Sequence, residues 1–423
     1  MSTEIHLGSV TLPIADYLDF PEFGDQVLHT ADDRPNTDTL PILSDPAADH
    51  LDAAVAVRRA DIEEKHRRVS SFLDQNGLDA LILGRADSLS WFTSGGDLSQ
   101  SNLSGDAGSV YLFVNRTSRA IICDNVHSAR VFEEELAGLG FQLKERQWYE
   151  DPTRILLELG HNKKIATDGH IAGTPWPDFL SAVRLIRSSL TKLERQRMRE
   201  LGRTLTLAVE ATCRNFRPGE KEADLVGHLA HRLLREGVVP VELRVAGDDR
   251  LARYRQLSFK SAPIASRATI SAVGRRHGLC AAVTRIVSFG PVSQNVREAH
   301  GLAAMIDATC IYFSRPGETI GGVFRRARRI FEKFDHADEW TLDYMGSVIA
   351  YSPRELPFKP DSRHVLNLDT ALRWGPSVGS TRSEDTVVID ARGYEVVTEA
   401  QVWPKMEVVV KGFPIPRPGI LER

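Results

Sequence analysis

The sequence predicts an α+β protein in two parts: a small α/β domain and a larger domain made of two similar αβ halves. Three observations carry this. At 423 residues the chain is too long for one ordinary core. Between residues 55 and 190, short apolar runs alternate with helical patterns, the mark of an α/β domain. Beyond 190, Arg217-Pro218-Gly219-Glu220 recurs as Arg315-Pro316-Gly317-Glu318, each time between two helical runs. One such tetrapeptide is a common turn; two in matching contexts point to an internal duplication.

The elements follow in order. Residues 1–54 are proline-bearing and aperiodic, and read as an irregular N-terminal extension, although helical spacing begins at 55 and runs to 73. A strand over 78–83 follows, and 90–95 end in a turn. Residues 109–114 and 120–123 pair as a hairpin around Asn115-Arg116-Thr117. Helices over 126–138 and 152–159 alternate with strands over 141–145 and 164–167. The second part, 191–423, opens on a helix from 193 to about 215, with Thr191 and Glu194 spaced as a capping box. A helix over 221–236 completes the first helical pair; 302–313 and 322–334 form the second. Strands over 268–273 and 279–287 form a hairpin through the Gly274–Gly278 turn.

Composition excludes several classes. Fifty-three basic against 57 acidic residues leave a net charge of −4, which gives no reason to expect a nucleic-acid or membrane partner. The Arg325-Arg326-Ala327-Arg328-Arg329 run shares a helix with Phe324, Ile330 and Phe331, and reads as a solvated helix face. No apolar run reaches transmembrane length. Four dispersed cysteines, Cys123, Cys213, Cys280 and Cys310, read as reduced thiols of a cytoplasmic protein.

The chemistry centres on 374–386. A Gly/Pro/Ser turn leads into Ser383-Glu384-Asp385-Thr386, and Val387-Val388-Ile389 follow as an apolar strand. A carboxylate at the mouth of a buried strand needs a waiting partner. This pattern resembles the C-terminal catalytic strand of the creatinase/aminopeptidase P family, the pita-bread proteins. Gly278-Leu279, Val283-Thr284-Arg285, Phe289-Gly290 and Arg354-Glu355 resemble further family segments in the same order. The resemblance covers roughly 55–400 and implies a pita-bread fold. That fold consists of duplicated αβ halves around a curved antiparallel sheet, preceded by a creatinase-type α/β domain. It also implies a homodimer.

Family peptidases hold two divalent metals with two Asp, one His and two Glu. Where the resemblance places the first Asp stand Ser271 and Ala272; for the second, Ala281, Ala282 and Val283. The His region reads Asp343-Tyr344-Met345-Gly346, and 371–376 contain no acid. Glu384 alone remains, so no family-type metal and no cofactor is expected. The creatinase His is also missing from the corresponding region, where Gln256 stands between Arg255 and Leu257.

The remaining candidates each have two readings. Glu384 is a general base or a cation-binding group, or else a sheet ion pair to Arg382 or Arg285. Glu355 lines a substrate site, as in creatinase, or makes a surface pair. Arg253, Arg255, Arg275, Arg285 and Arg382 hold a substrate carboxylate or pair with acids. Gln256 and Asp343 contribute polar contacts to the same cleft. Tyr344 and Tyr351 donate to an oxyanion or pack a seam, and Trp374 is an aromatic wall or a core residue. The resulting expectation is a metal-independent enzyme hydrolysing a C–N bond in a small amino-acid-like or amide/amidine compound. Glu384 and Glu355 would carry the protons. The alternatives are a non-catalytic scaffold that binds a small ligand or partner, and a lyase or cyclase on the same fold.

Overall fold

The computed structural model describes residues 46–99, 103, 108 and 110–423. Most of the expected N-terminal extension lies outside these residues, and the first helix begins at Pro46 rather than at 55.

The N-terminal part consists of α1 (Pro46–Asn76), β1 (Ala80–Leu83), α2 (Ala86–Phe92), β2 (Tyr111–Asn115), β3 (Arg119–Asp124), α3 (Ser128–Arg130), β4 (Gln142–Arg146), α4 (Pro152–Gly160), β5 (Ile165–Thr167) and α5 (Leu180–Ile186). Its strands form one mixed sheet in the order β4-β3-β2-β1-β5. The β2–β3 turn is held by the Asn115 side chain, which accepts from the Thr117 and Ser118 N–H groups. The expected helix over 126–138 is instead one turn of α3 followed by a π-helical turn, Val131–Glu135.

The C-terminal part opens with α6 (Lys192–Asn215) and α7 (Glu222–Arg235), then β6 (Val239–Gly247), α8 (Asp249–Arg253), β7 (Arg267–Arg276) and β8 (Leu279–Ser288). Thr191 and Glu194 form the expected capping box at α6. The β7–β8 hairpin turns on two residues only, His277 (φ 50°) and Gly278 (φ 74°), both left-handed as a tight hairpin requires. The second half repeats the plan: α9 (Gln294–Phe313), α10 (Ile320–Lys333), β9 (Gly346–Val348), β10 (Leu356–Pro357), β11 (Ala371–Trp374), β12 (Ser377–Val378), β13 (Thr381–Arg382), β14 (Asp385–Asp390) and β15 (Gly393–Val396). A closing segment, β16 (Lys405–Val410), β17 (Phe413–Pro418) and β18 (Ile420–Glu422), was not foreseen; β18 returns to pair in parallel with β8.

The duplication is visible hydrogen bond by hydrogen bond. In the first Arg-Pro-Gly-Glu turn, the Gly219 N–H donates to the Ile264 carbonyl (2.7 Å) and the Ile264 N–H donates to the Glu220 carbonyl (2.9 Å). In the second, Gly317 donates to Leu366 (2.9 Å) and Leu366 donates to Glu318 (2.8 Å). The halves meet where β8 faces 384–386. The Thr284 N–H donates to the Glu384 carbonyl (3.1 Å), and the Ala282 N–H donates to Thr386 Oγ1 (2.8 Å). Sheets β18-β8-β7-β6 and β10-β9-β11-β14-β15 are thereby joined into one curved surface, with α6, α7, α9 and α10 behind them. This is the pita-bread arrangement.

Two buried charge clusters fasten the N-terminal part to this surface. Lys65 on α1 lies 2.6 Å from Asp61 and 2.7 Å from Glu194, and the Tyr351 hydroxyl donates to the same Glu194 (2.7 Å). Arg187, after α5, reaches Asp87 and Glu355, each at 2.8 Å. Such pairs hold geometry more than they add stability, because desolvation offsets most of their attraction.

Candidate functional site

β11 runs antiparallel to β14 and β9, which sets Arg373 opposite both Thr386 and Ser347. Alternation along β11 buries Leu372 and Trp374 in the core of the second half and turns Arg373 to the concave side. Glu384 enters that side at the mouth of β14. Its Oε1 accepts from Arg373 Nη2 (2.7 Å) and Nε (3.0 Å), and its Oε2 accepts from the Thr284 hydroxyl (2.6 Å). Thr284 in turn shares a hydrogen bond with Ser271 (2.7 Å) across β7 and β8.

Three more arginines surround this pair. Arg382 pairs with Asp343, which also takes hydrogen bonds from Gln256 and from Ser377 (3.2 Å). Arg244 on β6 donates to the Gln256 side-chain oxygen (3.0 Å) and to Glu242 (2.7 Å). Arg354 lies over the Tyr344 ring, 4.7 Å from its centroid. The enclosed space is about 20 Å³, and a Cβ on Gly375 would stand 3.2 Å from Glu384 Oε1. Arg373 Nη1 faces this space. It is buried, lies 3.6 Å from Glu242, which is beyond hydrogen-bond reach, and has no hydrogen-bond partner.

The electrostatics follow from the geometry. Burial alone would raise the Glu384 carboxyl; Arg373, Arg382 and the Thr284 hydroxyl outweigh it and bring it down to about 2. Arg244 is lowered, by burial and by the neighbouring Arg373 and Arg354, with Glu242 opposing. The lining residues Arg244, Gln256, Tyr344, Ser347, Arg354, Arg373, Arg382 and Glu384 include no histidine and no carboxyl poised near neutrality.

The sequence candidates divide accordingly. Glu384, Arg382, Gln256 and Tyr344 line one cavity, with Asp343 bonded to the last three of them. Arg255 pairs with Glu339 (2.7 Å) and lines an adjoining crevice; Arg253 is exposed. Arg285 is buried behind the sheet against Asp385 (3.0 Å) and the Thr398 carbonyl (3.0 Å). Trp374 is a core residue against Phe358, its indole N–H on Ser314 (2.9 Å). Tyr351 belongs to the Lys65 cluster. Glu355 does not join Glu384. Its Oε2 takes Arg187, and its Oε1 accepts the N–H groups of Tyr351 (3.1 Å) and Ser352 (3.0 Å). Burial raises its carboxyl, with Arg187 opposing and Asp87 adding to the rise.

Arg373 and Arg244 were missed. The signal for Arg373 was available: an arginine between Leu372 and Trp374 in a strand two turns before Glu384 must find an acid if the strand is buried. Arg244 gave no such signal, because β6 alternates too loosely to assign a face.

The comparisons agree with this architecture. The profile of metallopeptidase family M24 matches residues 196–391. Among solved structures, an Xaa-Pro dipeptidase from Bacillus anthracis superposes with a TM-score of 0.67 at 16% identity, covering 80% of this chain and 98% of its own. A prolidase from Pyrococcus horikoshii OT3 gives 0.68 at 15% identity, with 80% and 99% covered. The N-terminal domain of the FACT complex subunit SPT16 from Cicer arietinum gives 0.64 at 11% identity, with 81% and 97% covered. No curated protein matches the chain by sequence. Residues 196–391 thus match metallopeptidase family M24, and the chain has the pita-bread fold.

The residues around Glu384 do not fit the family's pair of divalent cations. The neighbouring strands present Ser271, Thr284, Ser347, Arg373 and Gly375 to it, and a guanidinium already fills its cation-facing edge. Among the described residues, no three His, Cys, Asp or Glu side chains stand together as a metal site.

Proposed function

We propose that this protein keeps the M24 scaffold as a binding site for the carboxylate of a small amino-acid- or peptide-like ligand, without turnover. The observation that carries the reading is Arg373, whose buried Nη1 makes no hydrogen bond and has only a 3.6 Å ion pair to Glu242, in the wall of a cavity ringed by Arg244, Arg354 and Arg382. An unsatisfied buried guanidinium nitrogen is costly and calls for an acceptor. A planar carboxylate suits it, since guanidinium forks take carboxylates at two points. At about 20 Å³ the space itself holds little more than a water, so a carboxylate would sit at its mouth with the rest of the ligand outward. Proton transfer is poorly served, because Glu384 is held at about 2 and cannot exchange a proton near neutral pH.

A second reading is metal-independent C–N hydrolysis. It is favoured by the fold matches to proteins named Xaa-Pro dipeptidase and prolidase, and by the raised carboxyl of Glu355. It requires Glu355 and Glu384 to act on one substrate, although Glu355 is not among the residues lining the Glu384 cavity.

Calorimetry with the dipeptide Gly-Pro, together with an assay for free proline, separates the readings. The binding reading expects a saturable heat, weakened at least about tenfold by Arg354→Gln, and no proline release. Proline release abolished by Glu384→Gln establishes the hydrolase reading instead. Absence of saturable binding by any small carboxylate contradicts the binding reading.

A further inference from the structure

A second, much roomier cavity than the one beside Glu384 lies elsewhere. It is about 520 Å³ and lies where the His277–Gly278 hairpin tip meets the N-terminal part. That volume falls within the usual range of small-molecule sites. Four left-handed residues shape its wall: Ser94 (φ 55°) and Gly95 (φ 86°) from the N-terminal part, and His277 (φ 50°) and Gly278 (φ 74°) from the hairpin. The two turns interlock. A Cβ on Gly95 would stand 2.8 Å from both Arg197 Nη1 and His277 Cβ, and one on Gly278 would overlap Ser90. His277 and Gly278 are the hairpin's own turn; Ser94, a non-glycine, is the position outside it that carries strain.

The charge on this wall is unbalanced. Arg58, Arg197 and Arg276 line the cavity, yet the hydrogen bonds they make go to main-chain carbonyls. Arg58 donates to Thr93 (3.1 Å) and Glu135 (2.9 Å), Arg197 to Ser94 (2.8 Å), and Arg276 to Glu236 (3.4 Å). Carbonyls do not neutralise a guanidinium. Arg58 Nε is buried and has no hydrogen-bond partner. Three acids also line the space: Asp87 pairs with Arg187 and Arg85, the Glu135 carboxylate accepts the Asp97 N–H and partly offsets Arg58, and Asp97 accepts the Ser99 N–H. The nearest acid to Arg276 is Glu200, at 4.0 Å. The consequence is legible on His277. Burial, together with Arg197, Arg276 and Arg58, brings its imidazole down to about 4, with Glu200 alone opposing.

We propose that this interdomain cavity binds a phosphorylated small molecule, its phosphate held by Arg58, Arg197 and Arg276 at the hairpin tip. Three converging guanidiniums match a phosphate's oxygens better than a single carboxylate. The site is separate from the Glu384 cavity and does not depend on the reading given to it.

The test uses the full chain, with inorganic phosphate and glycerol phosphate as probes and sodium chloride matching ionic strength. Calorimetry should give saturable binding that falls at least about tenfold in Arg197→Gln and in Arg276→Gln, and is unchanged in Arg325→Gln, an exposed position on α10. In the proton NMR spectrum, the His277 imidazole should titrate at higher pH when phosphate is bound, because the anion offsets the guanidiniums. Binding of glycerol phosphate but not of inorganic phosphate supports the site and assigns the organic part a share of the affinity. Two results overturn the proposal: no saturable binding of either probe, or binding that Arg197→Gln and Arg276→Gln leave intact while the His277 titration stays put.

Discussion

Arg373 and Glu384 form a two-point ion pair, Nε and Nη2 both on Oε1, at the mouth of β14. Both side chains are buried, so the pair is sensitive to the loss of either member. Arg373→Gln should destabilise the protein by about 3–5 kcal/mol, because it strands a buried carboxylate. The double variant Arg373→Met/Glu384→Leu should cost less than the single one. Denaturant titration of the three proteins measures this coupling.

The two Arg-Pro-Gly-Glu turns should respond alike. Gly219 (φ 92°) and Gly317 (φ 86°) are left-handed, and a Cβ at either would meet nothing within 4 Å. Backbone strain is then the whole effect, and each Gly→Ala substitution should cost about 1–2 kcal/mol, equal within error. Thermal unfolding of the two variants checks this, and unequal losses would count against equivalent turns.

Gly278→Ala should be more damaging than either. Its Cβ would overlap Ser90, on top of the strain of φ 74°. A loss of about 2–4 kcal/mol is expected, partly restored by adding Ser90→Gly. Unfolding curves of the single and double variants give the comparison.

Asp307 on α9 supplies a pH dependence. Burial raises its carboxyl to about 7, with Asp385 adding to the rise and Arg417 and Ser383 opposing. The folded state therefore keeps a proton that the unfolded state releases near its ordinary value of 3.8. Stability from this group is full below about pH 4 and is lost as pH rises to about 7, at roughly 1.4 kcal/mol per unit. Asp307→Asn should remove that slope. Chemical denaturation of both proteins from pH 4 to 8 checks the sign.

Much of the fold was legible because its signals are local. The α6 capping box, the β7–β8 hairpin and the paired Arg-Pro-Gly-Glu turns each announce themselves within a few residues. The closing strand β18 did not, since its partner β8 lies more than a hundred residues away; β16 and β17 pair locally around Lys411-Gly412, and that hairpin was missed. The site was half legible. Glu384 stood out as an acid at a strand mouth, and Arg382, Gln256 and Tyr344 do reach it. Glu355, Tyr351 and Arg285 are equally polar and just as buried, but they face the domain seam or the back of the sheet. Which side of a sheet a polar residue serves depends on long-range register, and one residue of slip reverses it.

The most direct measurement is the titration of Glu384 itself, followed by carbon-13 NMR of the labelled carboxyl from pH 2 to 8. Held by Arg373, Arg382 and Thr284, it should stay ionised down to about pH 3, and the protein should lose about 3 kcal/mol of stability as pH falls from its ordinary value of 4.5 toward about 2. A Glu384 carboxyl that titrates between about pH 5 and 8 would contradict the account and restore this residue as a proton carrier.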